Sequence, residues 1–157
     1  MSFKKYQQYP NVQNFKREWA DKTITHAPIY CSVDLRDGNQ ALINPLTVEQ
    51  KLEYFKALVK MGFKQIEVSY PSASDTDFNF TRKLIEEDLV PDDVAIQILI
   101  PAKKEWIKKS VEAMSEVKNG IFHLYNPTNE FQRRVVFQKS DDEIIQMAIE
   151  AMQYLVE

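Results

Sequence analysis

Several function classes are excluded by what this chain lacks. Of its 157 residues one is cysteine, two are histidine and three are glycine. A single cysteine, Cys31, excludes an internal disulfide and fits a reducing compartment. The two histidines, His26 and His123, stand far apart, so no His-x-His or His-x-x-x-His metal pair exists. No Gly-rich phosphate turn is present after the first apolar run, which weakens a dinucleotide-binding reading. Charge is mixed along the chain, 20 Lys+Arg against 23 Asp+Glu for a net of −3, with no basic run of the kind nucleic-acid binding requires. No apolar stretch nears the ~20 residues of a membrane span, and Met1 to Pro28 lacks the apolar core of a secretory signal. The expectation is a cytoplasmic globular protein with no nucleic-acid and no membrane partner.

The remaining sequence is strongly patterned. Residues 1–28 form an arm with scattered Tyr6, Tyr9, Phe15 and Trp19. From Ile29, apolar residues alternate (Ile29, Cys31, Val33, Leu35), the period of a strand. Thr47-x-x-Gln50 is a capping box opening a helix whose apolar face carries Val48, Leu52, Phe55 and Val59, with Gly62 suited to end it. A second strand runs from Gln65 to Tyr70. A second helix, capped by Ser74 or Asp75, carries Phe78, Leu84, Ile85 and Leu89. Val94 to Ile100 is a third strand, apolar enough for burial on both faces. Lys103 to Lys118 is a third helix, Gly120 to Tyr125 a fourth strand, and Ser140 caps a last helix carrying Ile144, Ile145, Ala148, Met152 and Leu155. Strict βα alternation implies a parallel sheet with right-handed crossovers. Either an open doubly wound sheet or part of a barrel satisfies it. Four units of about 32 residues, doubled, come to about 260, near the ~250 of an eight-stranded barrel. The fold expected is therefore the first four β/α units of a TIM (β/α)8 barrel over residues 29–157, stopping after the fourth helix and preceded by the arm over 1–28.

If the apolar sets face the helices, Arg36, Glu67, Gln97 and His123 face the interior, one from each strand, and Asp37 follows Arg36 at a strand end. Such a convergence of polar groups is costly as core filling and points to a site. Each has a structural alternative: Arg36 and Asp37 as an ion pair, Glu67 as the neutraliser of Arg36, Gln97 as a bridge, His123 as a hydrogen-bonded core histidine. Cys31 reads as a small buried apolar residue. Arg133 and Arg134 read as solvated or paired, Ser72, Ser74, Asp75 and Asp77 as caps and turns, and His26 has no role. Asp37 alone does not make a divalent-metal site, which needs further His or carboxylate ligands.

The stretch Ala27-Pro28-Ile29-Tyr30-Cys31-Ser32-Val33-Asp34-Leu35-Arg36-Asp37-Gly38-Asn39-Gln40-Ala41-Leu42 closely resembles the first barrel strand of the 2-isopropylmalate synthase family. So do Ile66 to Phe78 with its Pro-Ser-Ala-Ser turn, Phe122 to Asn126, Gln132 to Phe137, and Arg17 to Ile24 in the arm. Leu-Arg-Asp-Gly alone marks the wider group of metal-dependent barrel synthases and lyases; Asn39, the turn and the arm point to this branch. The resemblance implies a Claisen condensation of acetyl-CoA with 2-oxoisovalerate in leucine biosynthesis, an acyl transfer assisted by a divalent metal (Mg²⁺, Mn²⁺ or Zn²⁺). It implies Asp37 as a metal ligand, Arg36 as the cation that stabilises oxyanion charge, and His123 as a wall of the keto-acid pocket. Glu67 and Gln97 join the substrate-binding set from their inward placement. The family's His-x-His, catalytic base and leucine-sensing domain have no counterpart here, so the metal site is incomplete and this chain alone is expected to be inactive. Its partner would be the missing C-terminal half or a second copy. A split enzyme, a half-barrel turned binding or structural module, and a related homocitrate- or citramalate-type synthase are the alternatives.

Overall fold

The computed structural model describes Lys22 and residues 25–156. The arm expected over residues 1–28 lies almost wholly outside these. Four parallel strands alternate with four helices: β1 (Cys31–Ser32), α1 (Val48–Met61), β2 (Gln65–Ser69), α2 (Asp75–Glu86), β3 (Ala95–Pro101), α3 (Lys104–Ala113), β4 (Gly120–Tyr125) and α4 (Asp141–Val156). Two π-helical turns, Asp34–Gly38 and Gln132–Phe137, interrupt the alternation. The sheet order is β1-β2-β3-β4, every neighbouring pair parallel. This order decides between the two architectures left open above. A doubly wound sheet reverses its strand order so that helices cover both faces. Here the order never reverses, and right-handed crossovers then place every helix on one face, as in consecutive units of a barrel.

Local chemistry accounts for most boundaries. Thr47 Oγ1 accepts from the Gln50 amide and the Gln50 side chain accepts from the Thr47 amide, a complete capping box. Gly62 ends α1 at φ 97°, a left-handed conformation open to glycine at no steric cost. Ser74 caps α2, and Ser140 with Glu143 repeats the reciprocal cap at α4. Gly120 opens β4 against the α3 end: a Cβ there would meet Val117 Cγ1 at 2.7 Å and Met114 Cε at 2.8 Å. The core lies between sheet and helices and contains Ile66, Val68, Ile96, Ile98 and Ile100 from the strands with Phe55, Phe80, Leu84 and Ile107 from the helices.

Five expectations need correction. The first strand is two residues long, not eight. Past Ser32 the amides of Arg36, Asp37 and Gly38 all turn back to the Val33 carbonyl, and the Ser32 hydroxyl ties the Asp34 carboxylate at 2.5 Å. An edge strand bonded on one side only gives way to such a turn, so Ile29 and Val33 are exposed while Leu35 is buried. In β2 the register slips between Glu67 and Ser69, and Ser69 bonds Thr81 on α2 at 2.6 Å instead of sharing the Glu67 side. In β3, Ile96, Ile98 and Ile100 are buried but Gln97 and Leu99 only half so, so one face, not both, is fully covered. Helix α3 ends at Ala113, since Met114–Glu116 form a turn in which Glu116 takes φ 66°. On α4, Ile145 and Met152 are exposed.

Candidate active site

Glu67 is the hub. It sits mid-β2 with its side chain 0% exposed, and three elements besides its own supply its partners. Arg36 Nε, from the turn after β1, donates to Oε1. Gln97 Nε2, its register partner on β3, donates to Oε2. His123 Nδ1, from β4, lies 2.7 Å from the same Oε2. Burial pushes the Glu67 carboxyl up, but the hydrogen bonds from His123, Gln97 and Arg36, with the Arg36 charge, outweigh it, so the group titrates below 4.5. Desolvation is thus offset by donors on both oxygens, the arrangement that keeps a buried charge ionised.

The five residues singled out from the sequence therefore meet, though Arg36 arrives from a helical turn and not from strand alternation. Arg36 is the joint of the cluster: Nε engages Glu67 while Nη1 holds Asp37 Oδ1 at 2.7 Å. Its remaining N–H groups, including both on Nη2, have no protein partner among the described residues. Asp37 is 62% exposed and His123 45% exposed. The cluster thus grades from a sealed mid-strand carboxylate to the solvent-facing His123 and to Asp37, which lies past the C-terminal end of β1, the side on which parallel α/β folds carry their chemistry.

Beside Arg36 a cavity of about 640 Å³ opens between the β1–α1 connection and the β2–α2 turn, lined among others by Asn39, Gln40, Leu46, Tyr70 and Asp77. That volume suits a small-molecule site. Of the residues chosen from sequence only Arg36 lines it; Glu67 and Gln97 lie behind. Two contributors were missed. Asn39 Oδ1 accepts from the Leu46 amide at 2.8 Å and pins the connection that walls the cavity. Tyr70, assigned to the helix-facing set, stands past the end of β2, its amide bonded to Asp77 and its ring 5.7 Å from Trp106. Its place just beyond a strand end was the available signal.

The residues set aside behave as structural groups. Arg133 pairs with Asp141 and Arg134 with Glu130, each at 3.1 Å. Ser74 and Asp77 cap and brace α2. Cys31 is half-buried, and burial pushes its thiol up, away from thiolate chemistry. Among the described residues no group of three or more His, Cys, Asp and Glu is placed to hold a metal. Asp37 offers one carboxylate, with one of its oxygens on Arg36, so the donor set present does not by itself fit a metal. No helix is long and apolar enough to cross a membrane among the described residues.

Residues 27–157 match the HMGL-like family model. The chain is 54% identical over 153 residues to a 2-isopropylmalate synthase of Clostridium acetobutylicum, covering 98% of this chain and 27% of that protein. It is 50% identical over 149 residues to one of Acetoanaerobium sticklandii, 95% and 26%, and 53% identical over 152 residues to one of Helicobacter hepaticus, 96% and 27%. The chain thus spans about a quarter of the length of the curated relatives it matches.

Proposed function

The chain belongs to the HMGL-like family, and from that premise we propose that it carries the first four units of a (β/α)8 barrel and, with them, one half of a 2-isopropylmalate synthase site. The reaction proposed is the condensation of acetyl-CoA with 2-oxoisovalerate: a base takes a proton from the acetyl methyl, the resulting carbanion adds to the keto carbon, the alkoxide so formed takes up a proton, and water cleaves the thioester to free the thiol. The observation that supports it best is the Glu67-centred cluster across β2, β3 and β4, joined from beyond the end of β1 by an arginine whose outer N–H groups are unengaged.

The roles follow from the geometry. Arg36 is held by Glu67 and Asp37 so that its guanidinium cannot swing away, and a fixed cation stabilises developing oxyanion charge without reorganising. Glu67 sets that orientation from a sealed position. His123 and Gln97 wall the keto-acid side, and the cavity beside Arg36 is the approach for the acyl donor. Asp37 would contribute one ligand to a divalent metal (Mg²⁺, Mn²⁺ or Zn²⁺), with the remaining ligands supplied from outside the described residues, and the chemistry so supplied would be polarisation of the ketone. The uncovered apolar stripe on α4, Ile145, Ile149, Met152 and Val156, and the open edge of β4 are the faces that further β/α units or a second copy would cover. On this reading the 157 residues alone do not turn over.

The reading is tested by grafting residues 27–156 into the matching stretch of the Clostridium acetobutylicum synthase and measuring thiol release from acetyl-CoA with a panel of 2-oxo acids. Release dependent on 2-oxoisovalerate is expected. A folded graft that prefers 2-oxoglutarate or pyruvate moves the reading to a homocitrate- or citramalate-type synthase, and one silent with every acceptor overturns it.

A further inference from the structure

We propose that Glu67 is a positioning residue that holds the His123 imidazole in its Nδ1–H form, so that Nε2 faces the mouth of the site as a lone-pair acceptor. The inference deepens the reaction proposed above and rests on it only for the identity of what Nε2 meets.

The hydrogen-bond inventory around Glu67 fixes which ring nitrogen carries the inner proton. An ionised carboxylate accepts and does not donate. Oε1 takes Arg36 Nε, and Oε2 takes Gln97 Nε2 together with His123 Nδ1 at 2.7 Å. The proton in that last contact therefore sits on Nδ1. Gln97 Nε2 also lies 3.4 Å from His123 Nδ1, but an amide nitrogen and a protonated ring nitrogen are both donors. That approach is a shared convergence on Oε2, not a bond between them. With Nδ1 turned to a fully buried carboxylate, the ring's exposed remainder carries Nε2, which has no protein partner among the described residues. Free imidazole in water favours the opposite tautomer, so the carboxylate reverses the ordinary preference.

The consequence is chemical. A lone-pair Nε2 cannot donate to a ketone oxygen, but it accepts from a hydroxyl. His123 is then suited to the hydroxyl that condensation creates, and a 2-hydroxy acid satisfies it where the 2-oxo acid does not. Arg36, and not His123, is left as the donor to the keto oxygen.

The test uses the full chain labelled with ¹⁵N, which contains two imidazoles. Long-range ¹H–¹⁵N correlation at pH 8, well above the ~6.5 of a free imidazole, reads both. His123 is expected to show a pyrrole-type Nδ1 and a pyridine-type Nε2, distinct from the averaged pattern of a free imidazole in the same buffer. A His123 with its proton on Nε2, or doubly protonated at pH 8, overturns the proposal. In Glu67→Gln the His123 signals are expected to move to the averaged pattern of a free imidazole; an unchanged signature removes Glu67 from the role. Gln97→Leu keeps the carboxylate and is expected to keep the signature; its loss there assigns the tautomer to Gln97 and likewise overturns the proposal. None of these readings needs turnover. An inactive graft therefore leaves the tautomer standing, and a wrong tautomer leaves the condensation standing.

Discussion

Lys51 on α1 and Glu67 on β2 both have side chains 0% exposed, yet their surroundings differ in kind. Lys51 is closed in on every side. Its ammonium pairs with Asp77 on α2 and lies 5.0 Å from the Phe80 ring, and Asp77 is in turn bonded by the Tyr70 amide at 2.8 Å. Glu67 also has its charge met, but by partners that lead outward, through Arg36 at 15% exposed to Asp37 and through His123. The first arrangement ties two helices to the end of a strand. The second delivers unengaged donors and a free ring nitrogen to solvent. A buried charge is thus no sign of a site by itself; what its partners leave unsatisfied at the surface is.

The contrast can be broken at either end. The largest effect is expected from Asp77→Ala, which strands the Lys51 ammonium in the core and removes the acceptor of the Tyr70 amide. Losing one member of a buried pair costs about 3–5 kcal/mol, readable as a shift in the urea midpoint at constant m-value; a loss under about 1 kcal/mol would place Lys51 in contact with water. Next comes Arg36→Gln in the grafted synthase, where removal of a fixed oxyanion donor is expected to lower kcat about 10²–10³-fold in protein shown by circular dichroism to be folded, since leaving the buried Glu67 without its cation also lowers stability. Smaller is the effect of Glu67→Gln on acid stability. Because the folded carboxyl titrates below its ordinary 4.5, its contribution is fully present above that value and is lost as pH falls through the folded pKa. Stability measured from pH 6 to pH 3 should therefore decline more steeply in the parent than in Glu67→Gln, and parallel curves would contradict the ionised hub. The smallest is the change in pH dependence expected from Lys51→Met, a substitution whose own cost stays below that of Asp77→Ala because Asp77 is 14% exposed and keeps the Tyr70 amide. Burial pulls the Lys51 ammonium below 10.5 despite Asp77, so the unfolded chain binds the extra proton and stability rises with pH just below 10.5. Lys51→Met should flatten that rise.

Much of this was legible in the sequence because local and global signals agreed. Thr47 and Gln50, Gly62, Ser74 and Ser140 mark helix ends by their own hydrogen-bonding chemistry. Gly120 to Tyr125 forms a strand over the whole span that its pattern predicts. The meeting of Glu67, Gln97 and His123 was legible from period and strand count; Arg36 joins them from a turn that the period did not predict. What the four do there was not legible, since placement is not chemistry. The first strand misled because the alternation of Val33 and Leu35 continues past the point where the ladder ends; nothing local reveals that β1 pairs with β2 only at Cys31 and Ser32. Lys51 was invisible for a different reason. A lysine on an amphipathic helix reads as solvent-facing, and only the tertiary placement of Asp77 explains its burial. The slip after Glu67, which sends Ser69 to Thr81, likewise depends on a neighbouring helix that periodicity does not see.

The central claim is that Arg36-Asp37 belongs to an acyl-condensing, metal-dependent site and is not merely an ion pair beside Glu67. The most direct measurement is thiol release by the grafted synthase carrying Asp37→Ala, with acetyl-CoA and 2-oxoisovalerate, across a titration of Mg²⁺, Mn²⁺ or Zn²⁺. The account predicts a folded protein whose metal-dependent turnover is abolished at every metal concentration. Turnover retained at the parent level, with the parent's metal dependence, would contradict it.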